Sequence, residues 1–585
     1  MQNIKKHILP FVLACAMVFA VCTVFFAVSA KTFLLGDANR SGKIDAADYA
    51  MVKRHYLKTY RLDEEQQLIA DCNHNSKIDA ADYAMIKRHY LKTFELKGAV
   101  TIDHTPSEGL KYQLNEDEDG YEVVGIGTCK DTAIVIPAEY NGKPVKGVVG
   151  SEWMEGSFYG NDSITSVYIS DGVEYIGREA FAGCKSLTSV SIPSSVTEIA
   201  YASFYGCKNL NGIILPENIK SIGNEAFFCT GIYEDTKNWE NDALYIGDYL
   251  IEAKWGIDGK HTVKAGTKLI ADLAFYEAKI EELTLPAGLA HIGAYAFAYC
   301  TRLAKINLPD SLETIGDHAF YDNAVTEITI PAGLKELNNY AFGNCSNLTE
   351  VTLQEGLKHI GSGAFRGCAV KRVCIPASVA EIYSCPFQAC AQLEKIEVAV
   401  GNKEYKSVNN CLIEIAAKTL VQGCKTSVIP ADGSVTVIGS SSFSGCTGLA
   451  GITIPDCVSE IRYSAFNGSG LTSISLPDSV TKINDYAFAY AESLSKIDLG
   501  KNITDMGWHV FYHTAYYYDD SNWTGDEELI INGYTVETQK DHSQGWPQTG
   551  DNSINIAVLL IVAVLSVLTA VYVFRRRSKH MVFAG

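Results

Sequence analysis

Apolar positions in the long middle of the chain recur with a fixed period. In "LTSVSIPSSVTEIAYASFYGCKN", Leu187 to Asn209, the residues Leu187, Val190 and Ile192 alternate with small polar ones. That pattern predicts a short strand with one inward face. A Pro turn, a further aliphatic residue and then a phenylalanine, often after Ala, complete the unit. Related units begin at Leu303 and Leu471, and the landmark phenylalanine recurs from Phe181 to Phe511. Its spacing is about 22 or 23 residues apart from two insertions, within the range of leucine-rich repeats. One such unit cannot bury its apolar side alone, so the units must stack on one continuous core. Cysteines three residues after the phenylalanine (Cys184, Cys207, Cys300, Cys345, Cys368, Cys390 and Cys446) should line up as a buried ladder.

The insertions start at Tyr233 and Asn402, and both alternate apolar and polar residues around a turn. They predict β-hairpins. A segment from Tyr518 echoes the first, with Trp523 matching Trp239, and is expected to close the array. "IVIPAEYNGKPVKGV", Ile134 to Val148, is expected to cap its other end.

Ahead of the repeats, "DAADYAMVKRHYLKTY" from Asp45 returns as "DAADYAMIKRHYLKTF" from Asp79. Each copy predicts an amphipathic helix and follows a polar loop. In the first loop, "DANRSGKIDAAD", oxygen donors fall at positions 1, 3, 5, 9 and 12: Asp37, Asn39, Ser41, Asp45 and Asp48, with the Lys43 carbonyl between. Calcium takes six to eight oxygens, and short carboxylate, amide and hydroxyl side chains around a sharp turn supply them. The second loop offers Asp71, Asn73, Asn75, the Lys77 carbonyl, Asp79 and Asp82. Gly42 provides the first turn, whereas Ser76 stands in the second, where a Cβ is costly at positive φ. The second site is therefore expected to be the weaker. Read without a metal, the same residues are polar turns with Asp48 and Asp82 at helix starts.

These residues carry two resemblances. The doubled segment, about Thr32 to Leu96, resembles a type I dockerin. That implies Ca2+ binding and docking to the cohesin module of a scaffolding protein, through two near-equivalent faces related by a half turn. The faces would comprise Ala46, Ala47, Lys53, Arg54 and Tyr56, and Ala80, Ala81, Lys87, Arg88 and Tyr90. Alanines occupy loop positions 10 and 11, where dockerins often carry hydroxyls. The basic pairs also read as ordinary solvated helix faces. The repeats resemble the BspA-like leucine-rich repeats over about Ser163 to Tyr512, which implies a surface protein with adhesive roles.

Composition changes the picture in three ways. A net charge of −19 argues against nucleic acid as a partner. Residues 1–30, with Lys5, Lys6, an apolar run and Val28-Ser29-Ala30, predict a signal peptide. Ile556 to Phe574 is long enough to span a bilayer, and Arg575, Arg576, Arg577 and Lys579 after it predict a cytoplasmic end. "WPQTGD" before that segment resembles a Gram-positive LPxTG sorting signal, with Pro547, Thr549 and Gly550 as the residues sortase would read. A plain membrane anchor is the other reading.

No HExxH, GxSxG or phosphate loop stands outside the repeat frame, so no catalytic residue is expected. The expected architecture is an α+β multidomain chain: signal peptide 1–30, an all-α calcium module 31–97 and a repeat cap 98–162. A leucine-rich repeat solenoid 163–515, a hairpin cap and linker 516–545 and a sorting and transmembrane segment 546–585 complete it. The expected function is surface binding and cohesin-dependent assembly of cellulosome type, with the repeats holding a protein or other extracellular ligand. In the alternative, the calcium module is only structural and the repeats act as a stand-alone adhesin or spacer.

Overall fold

The computed structural model describes residues 31–41, 43–57, 62, 64–72, 78–92, 99–102, 105–150, 157–524 and 528–537. The expected signal peptide, the segment 556–574 and the motif holding Pro547, Thr549 and Gly550 lie outside them. Among the described residues, no helix is long and apolar enough to cross a membrane.

Three helices open the described chain: α1 (Ala46–Tyr56), α2 (Glu64–Ala70) and α3 (Ala80–Tyr90). Asp45 caps α1 by accepting from the Ala47 N–H at 2.7 Å, while Asp48 Oδ2 accepts from the Asp45 N–H at 2.9 Å. This reciprocal cap satisfies donors that a helix start leaves open. Val52 and Ile86, one of the two pairs at which the copies differ, are both fully buried with Leu35, Leu62 and Cys72. Helix α2 was not legible in the loop-and-helix pattern. Its run of Glu and Gln favours helix, and the buried Ile69 and Ala70 fix it. The sequence predicts an all-α module, but the structure adds an antiparallel pairing of β1 (Lys31–Leu34) with β2 (Ala99–Ile102). Its β-branched residues suit that role.

Most repeats contribute two parallel rungs. The expected strand is present, for example Glu327–Ile330 beside Glu350–Leu353 in register. The aliphatic residue after the Pro turn forms a second, two-residue strand, which sequence reading had not assigned. These short strands run as a ladder from Leu269–Ile270 through His291–Ile292 and Thr314–Ile315 to Glu381–Ile382. The predicted N-terminal cap supplies the first rung of both: Ala133–Ile136 pairs with Ser166–Ile169, and Lys143–Val148 with Tyr175–Ile176.

The landmark rings stack face to face. Centroids lie 5.0 Å apart for Phe320 and Phe342 and 5.0 Å for Phe443 and Phe466, within the range where aromatic pairs attract beyond area burial. Phe158, which the sequence pattern missed, extends the stack below Phe181 at 5.3 Å. The turn carrying each ring bonds to the next repeat: the Phe297 N–H donates to the Ala319 carbonyl at 2.8 Å and the Phe320 N–H to the Ala341 carbonyl at 2.8 Å.

The cysteine ladder has a bonding role that spacing did not reveal. Cys300 Sγ–H donates to the Phe275 carbonyl of the preceding repeat at 3.1 Å, and Cys345, Cys368 and Cys390 make the same contact to Phe320, Phe342 and Phe365. Burial pushes the Cys300 and Cys390 thiols up to about 12, so they remain protonated donors. Where the frame has Asn323 instead, its Nδ2 reaches the Phe297 carbonyl at 3.0 Å. An amide can thus replace the thiol as donor, whereas Ala278 and Ala491 fill the same position without one.

The insertions are three-stranded rather than simple hairpins: Trp239–Glu240, Ala243–Ile246 and Tyr249–Ala253 in the first, Tyr405–Val408, Cys411–Glu414 and Thr419–Gln422 in the second. Each is buried on both faces. Leu244, Ile246, Tyr249 and Ile251 enter the N-terminal core, whereas Ala243, Tyr245, Leu250 and Ala253 enter the middle one. Cys411, Ile413 and Leu420 likewise enter the third core while Leu412 and Tyr405 join the middle one. The insertions are thus shared walls between three core segments, which explains their near-continuous apolar runs. The echo from Tyr518 folds like the first: Trp523 Nε1–H donates to the Tyr517 carbonyl at 2.7 Å as Trp239 does to Tyr233 at 2.8 Å.

A further ladder links Asx side chains to the next repeat. Asn339 Oδ1 accepts from the Ser362 N–H at 2.8 Å and Asp272 Oδ1 from the Ala294 N–H at 2.8 Å. Burial raises the Asp272 carboxyl from its ordinary 3.8 to about 6, against the lowering effect of that bond. A raised acid pKa means that the folded state holds the proton more tightly than the unfolded chain. Its stabilising contribution is present below pH 4 and lost as pH rises through about 6. Asp272→Asn, which keeps the acceptor, is expected to raise the urea midpoint at pH 7.5 and to leave it unchanged at pH 3.5.

Asn323→Ala should cost about 1 kcal/mol by removing one of the two hydrogen bonds that the Phe297 carbonyl accepts, the other coming from the Cys300 N–H. Asn323→Cys should recover most of this in the same urea titration.

Candidate functional site

In the first acidic loop, Asp37 and Asp48 are almost wholly buried. Asp48 Oδ1 accepts from the Asn39 N–H at 2.9 Å and Asp37 Oδ1 from the Ser41 N–H at 2.9 Å. The Ser41 hydroxyl donates to the Lys43 carbonyl at 3.1 Å. These bonds and the helix cap link Asp37, Asn39, Ser41, Lys43, Asp45 and Asp48 along one loop. Asp45 and Asp48 also form the helix cap, so the metal-free and metal-bound readings use the same side chains. Burial raises the Asp48 carboxyl, and the neighbouring charges of Asp37 and Asp45 raise it further.

Among the described residues, no group of three or more His, Cys, Asp and Glu converges as a metal cluster. The loop's donor set instead depends on Asn39, Ser41 and a backbone carbonyl. Crowded, buried carboxylates with amide, hydroxyl and carbonyl oxygens fit a hard divalent cation. Calcium there would neutralise the mutual repulsion. In the second loop the Asp79 N–H donates to Asp82 Oδ2 at 2.8 Å, matching the first, and Asp71 and Asp82 are buried. Asn73, Asn75, Ser76 and Lys77 lie outside the described residues, as does Gly42 of the first loop.

Helices α1 and α3 pack antiparallel. Tyr56, late in α1, meets Tyr83, early in α3, at 5.2 Å, while Lys87, late in α3, lies 5.6 Å from the ring centre of Tyr49, early in α1. Lys53 approaches the same Tyr49 ring at 5.6 Å. An approximate half turn thus relates the two copies. Lys53, Arg54, Lys87 and Arg88 are exposed, as are Ala46, Ala47 and Ala80 at the helix starts. Ala81 belongs to the first turn of α3.

The structure adds two residues that the sequence reading left out. Leu57 and Leu91 are 55% and 53% exposed, beside Tyr56 at 41% and Tyr90 at 45%. The signal was present: Leu57 lies four residues after Lys53, on the same helical side.

In the repeats, the strand positions between the inward ones face outward, and among Ser189, Ser191, Glu282, Thr284, Lys305, Asn307, Glu327, Thr329, Glu350, Thr352, Ser473 and Ser475 none is buried. Tyr168 in the same row is half-buried. The family model "BspA type Leucine rich repeat region" matches six copies over 152–255, 268–394 and 414–518, more than half of the chain. The chain belongs to the BspA-type leucine-rich repeat proteins. This BspA-type chain also carries a match to the type I dockerin domain over 35–91. Both are binding modules without a catalytic group of their own.

Three similar solved structures are leucine-rich repeat proteins. One from Bacteroides ovatus is 24% identical, with 69% of this chain and 91% of that one covered and a TM-score of 0.30. One from Eubacterium ventriosum is 21% identical, with 67% and 94% covered and a TM-score of 0.31. A leucine rich cell surface protein from Faecalibacterium prausnitzii is 22% identical, with 67% and 93% covered and a TM-score of 0.23. No curated protein matches the chain.

Calorimetric titration with calcium is the direct check on the loops. Asp48→Ala should remove the tighter of two binding events, weakening it at least tenfold, while Asp82→Ala should remove only the weaker.

Proposed function

We propose that this BspA-type protein is a cell-surface assembly and adhesion protein. Its dockerin domain docks to a cohesin-bearing partner when calcium is bound, while its repeats hold a protein ligand outside the cell. The observation that carries the docking half is the matched exposure of Tyr56 with Leu57 and Tyr90 with Leu91 on antiparallel helices. Exposed aromatic and aliphatic residues flanked by cations suit a partner surface with an apolar centre and an acidic rim. Either copy can offer the same set, so one partner can be engaged in two orientations. Calcium acts here by fixing the loops that start α1 and α3.

Surface location is supported by the repeat and dockerin modules together and by the described role of the Faecalibacterium relative as a cell surface protein. Anchoring by sortase through Pro547, Thr549 and Gly550, ahead of a membrane segment at 556–574, rests on the sequence pattern.

The test is retention of the chain on immobilised type I cohesins, with calcium and then with EDTA. Calcium-dependent retention is expected. Leu57→Asp or Leu91→Asp alone should leave affinity within about threefold, because the other face remains, and the double variant should lose at least a hundredfold. Absence of retention by a calcium-folded chain would instead favour the stand-alone adhesin.

A further inference from the structure

One column on the strand face of the repeats carries charges that the fold leaves uncompensated. It is formed by outward residues in register along the longer strands. Early in the column the signs alternate and pair: Glu282 bridges Lys260 at 2.7 Å and Lys305 at 3.4 Å. Then the alternation stops. Glu327 stands in register with Glu350, and two repeats on, Arg372 stands in register with Lys395. Like charges directly opposite on paired strands are destabilising. Among the described residues, neither Glu327 nor Glu350 has a cation within ion-pair distance, and neither Arg372 nor Lys371 beside it has a carboxylate. Lys395 is paired with Glu397 at 2.7 Å.

Each like-charged pair borders a concavity. The acidic one, of about 180 Å³, is lined by Glu327, Glu350, Asn307, Thr329 and Thr352 among others. The basic one, of about 430 Å³, is lined by Lys371, Arg372, Lys395, Glu394, Asn410 and Thr426. The last two come from the second insertion, whose turns form its far wall. Glu394 is held by Lys425 at 2.8 Å, so the free charge of this cleft is positive. In a chain of net charge −19, that is a local inversion.

The geometry points to a binding site for a protein segment of split charge, with a basic group in the Glu327–Glu350 groove and an acidic group in the Lys371–Arg372 cleft. This rests on the reading above that the repeats hold a protein, and it names the recognition chemistry. Successive parallel strands lie about 4.8 Å apart, so the two charge centres are separated by about 10 Å. An extended peptide covers that in about three residues, at roughly 3.3 Å each. A uniformly anionic polysaccharide that entered the basic cleft and ran along the face would meet two glutamates. The linings of both concavities also lack the aromatic rings on which sugars stack.

The experiment uses the full chain in mild detergent over surfaces densely coated with the peptide Lys-Lys-Thr-Asp-Asp, the peptide Asp-Asp-Thr-Asp-Asp, or polygalacturonate, at low salt. The split-charge peptide should bind at least tenfold more tightly than either anionic probe, and the advantage should shrink at 0.5 M salt. The double variants Lys371→Glu with Arg372→Glu, and Glu327→Lys with Glu350→Lys, should each lower its binding at least tenfold with an unchanged melting temperature. Tighter binding of an anionic probe, strengthened by the glutamate variant, would overturn the proposal in favour of an acidic glycan or peptide cleft. Equal binding by all variants would overturn it outright. Retention of the organism's surface proteins in EDTA reports separately on whether the repeats bind protein at all.

Discussion

The constraint on which the rest of the molecule depends is that no repeat can satisfy itself. A unit of about 22 or 23 residues exposes an apolar side and open backbone groups. The stack answers both demands at one place. The landmark ring buries its faces against the rings above and below, and the turn that carries it bonds to the next turn through Phe N–H groups. Where a cysteine follows three residues later, its thiol adds a second bond to the Phe carbonyl of the preceding repeat, as Cys300 does to Phe275. Because these contacts are all between neighbours, a local fault propagates one unit each way. The array needs end caps, and the two insertions stand as walls shared between neighbouring core segments.

The dockerin domain is built on different physics. Its core is small, centred on Val52, Ile86, Leu35, Leu62 and Cys72, and domains of this size are marginal without a further tie. The caps in the acidic loops supply one, with Asp48 Oδ2 accepting from the Asp45 N–H and Asp82 Oδ2 from the Asp79 N–H. The chain therefore joins a small module tied by its loops to an array whose order comes from apolar stacking.

Charge is distributed to match. The overall acidity keeps a large surface solvated, while helices α1 and α3 present exposed cations and the strand face changes sign within a few repeats. Paired charges such as Lys260 with Glu282 are exposed and contribute little to stability. The unpaired columns are better understood as features facing outward, toward something that completes them.

The sequence by itself determined the repeat period, the landmark rings from Phe181 to Phe511, the cysteine positions and the spacing of oxygen donors along the first loop. Side-chain periodicity is written directly in residue spacing, which is why these were legible. Phe158 was missed because the segment before it departs from the motif. Helix α2 was missed because a short polar run carries no apolar period. Only the tertiary structure decided which carbonyl each thiol meets, that the insertions face two cores, that β1 pairs with β2, and that Glu327 stands beside Glu350 and Arg372 beside Lys395. Those are relations between residues more than twenty positions apart, and stacking register alone sets them.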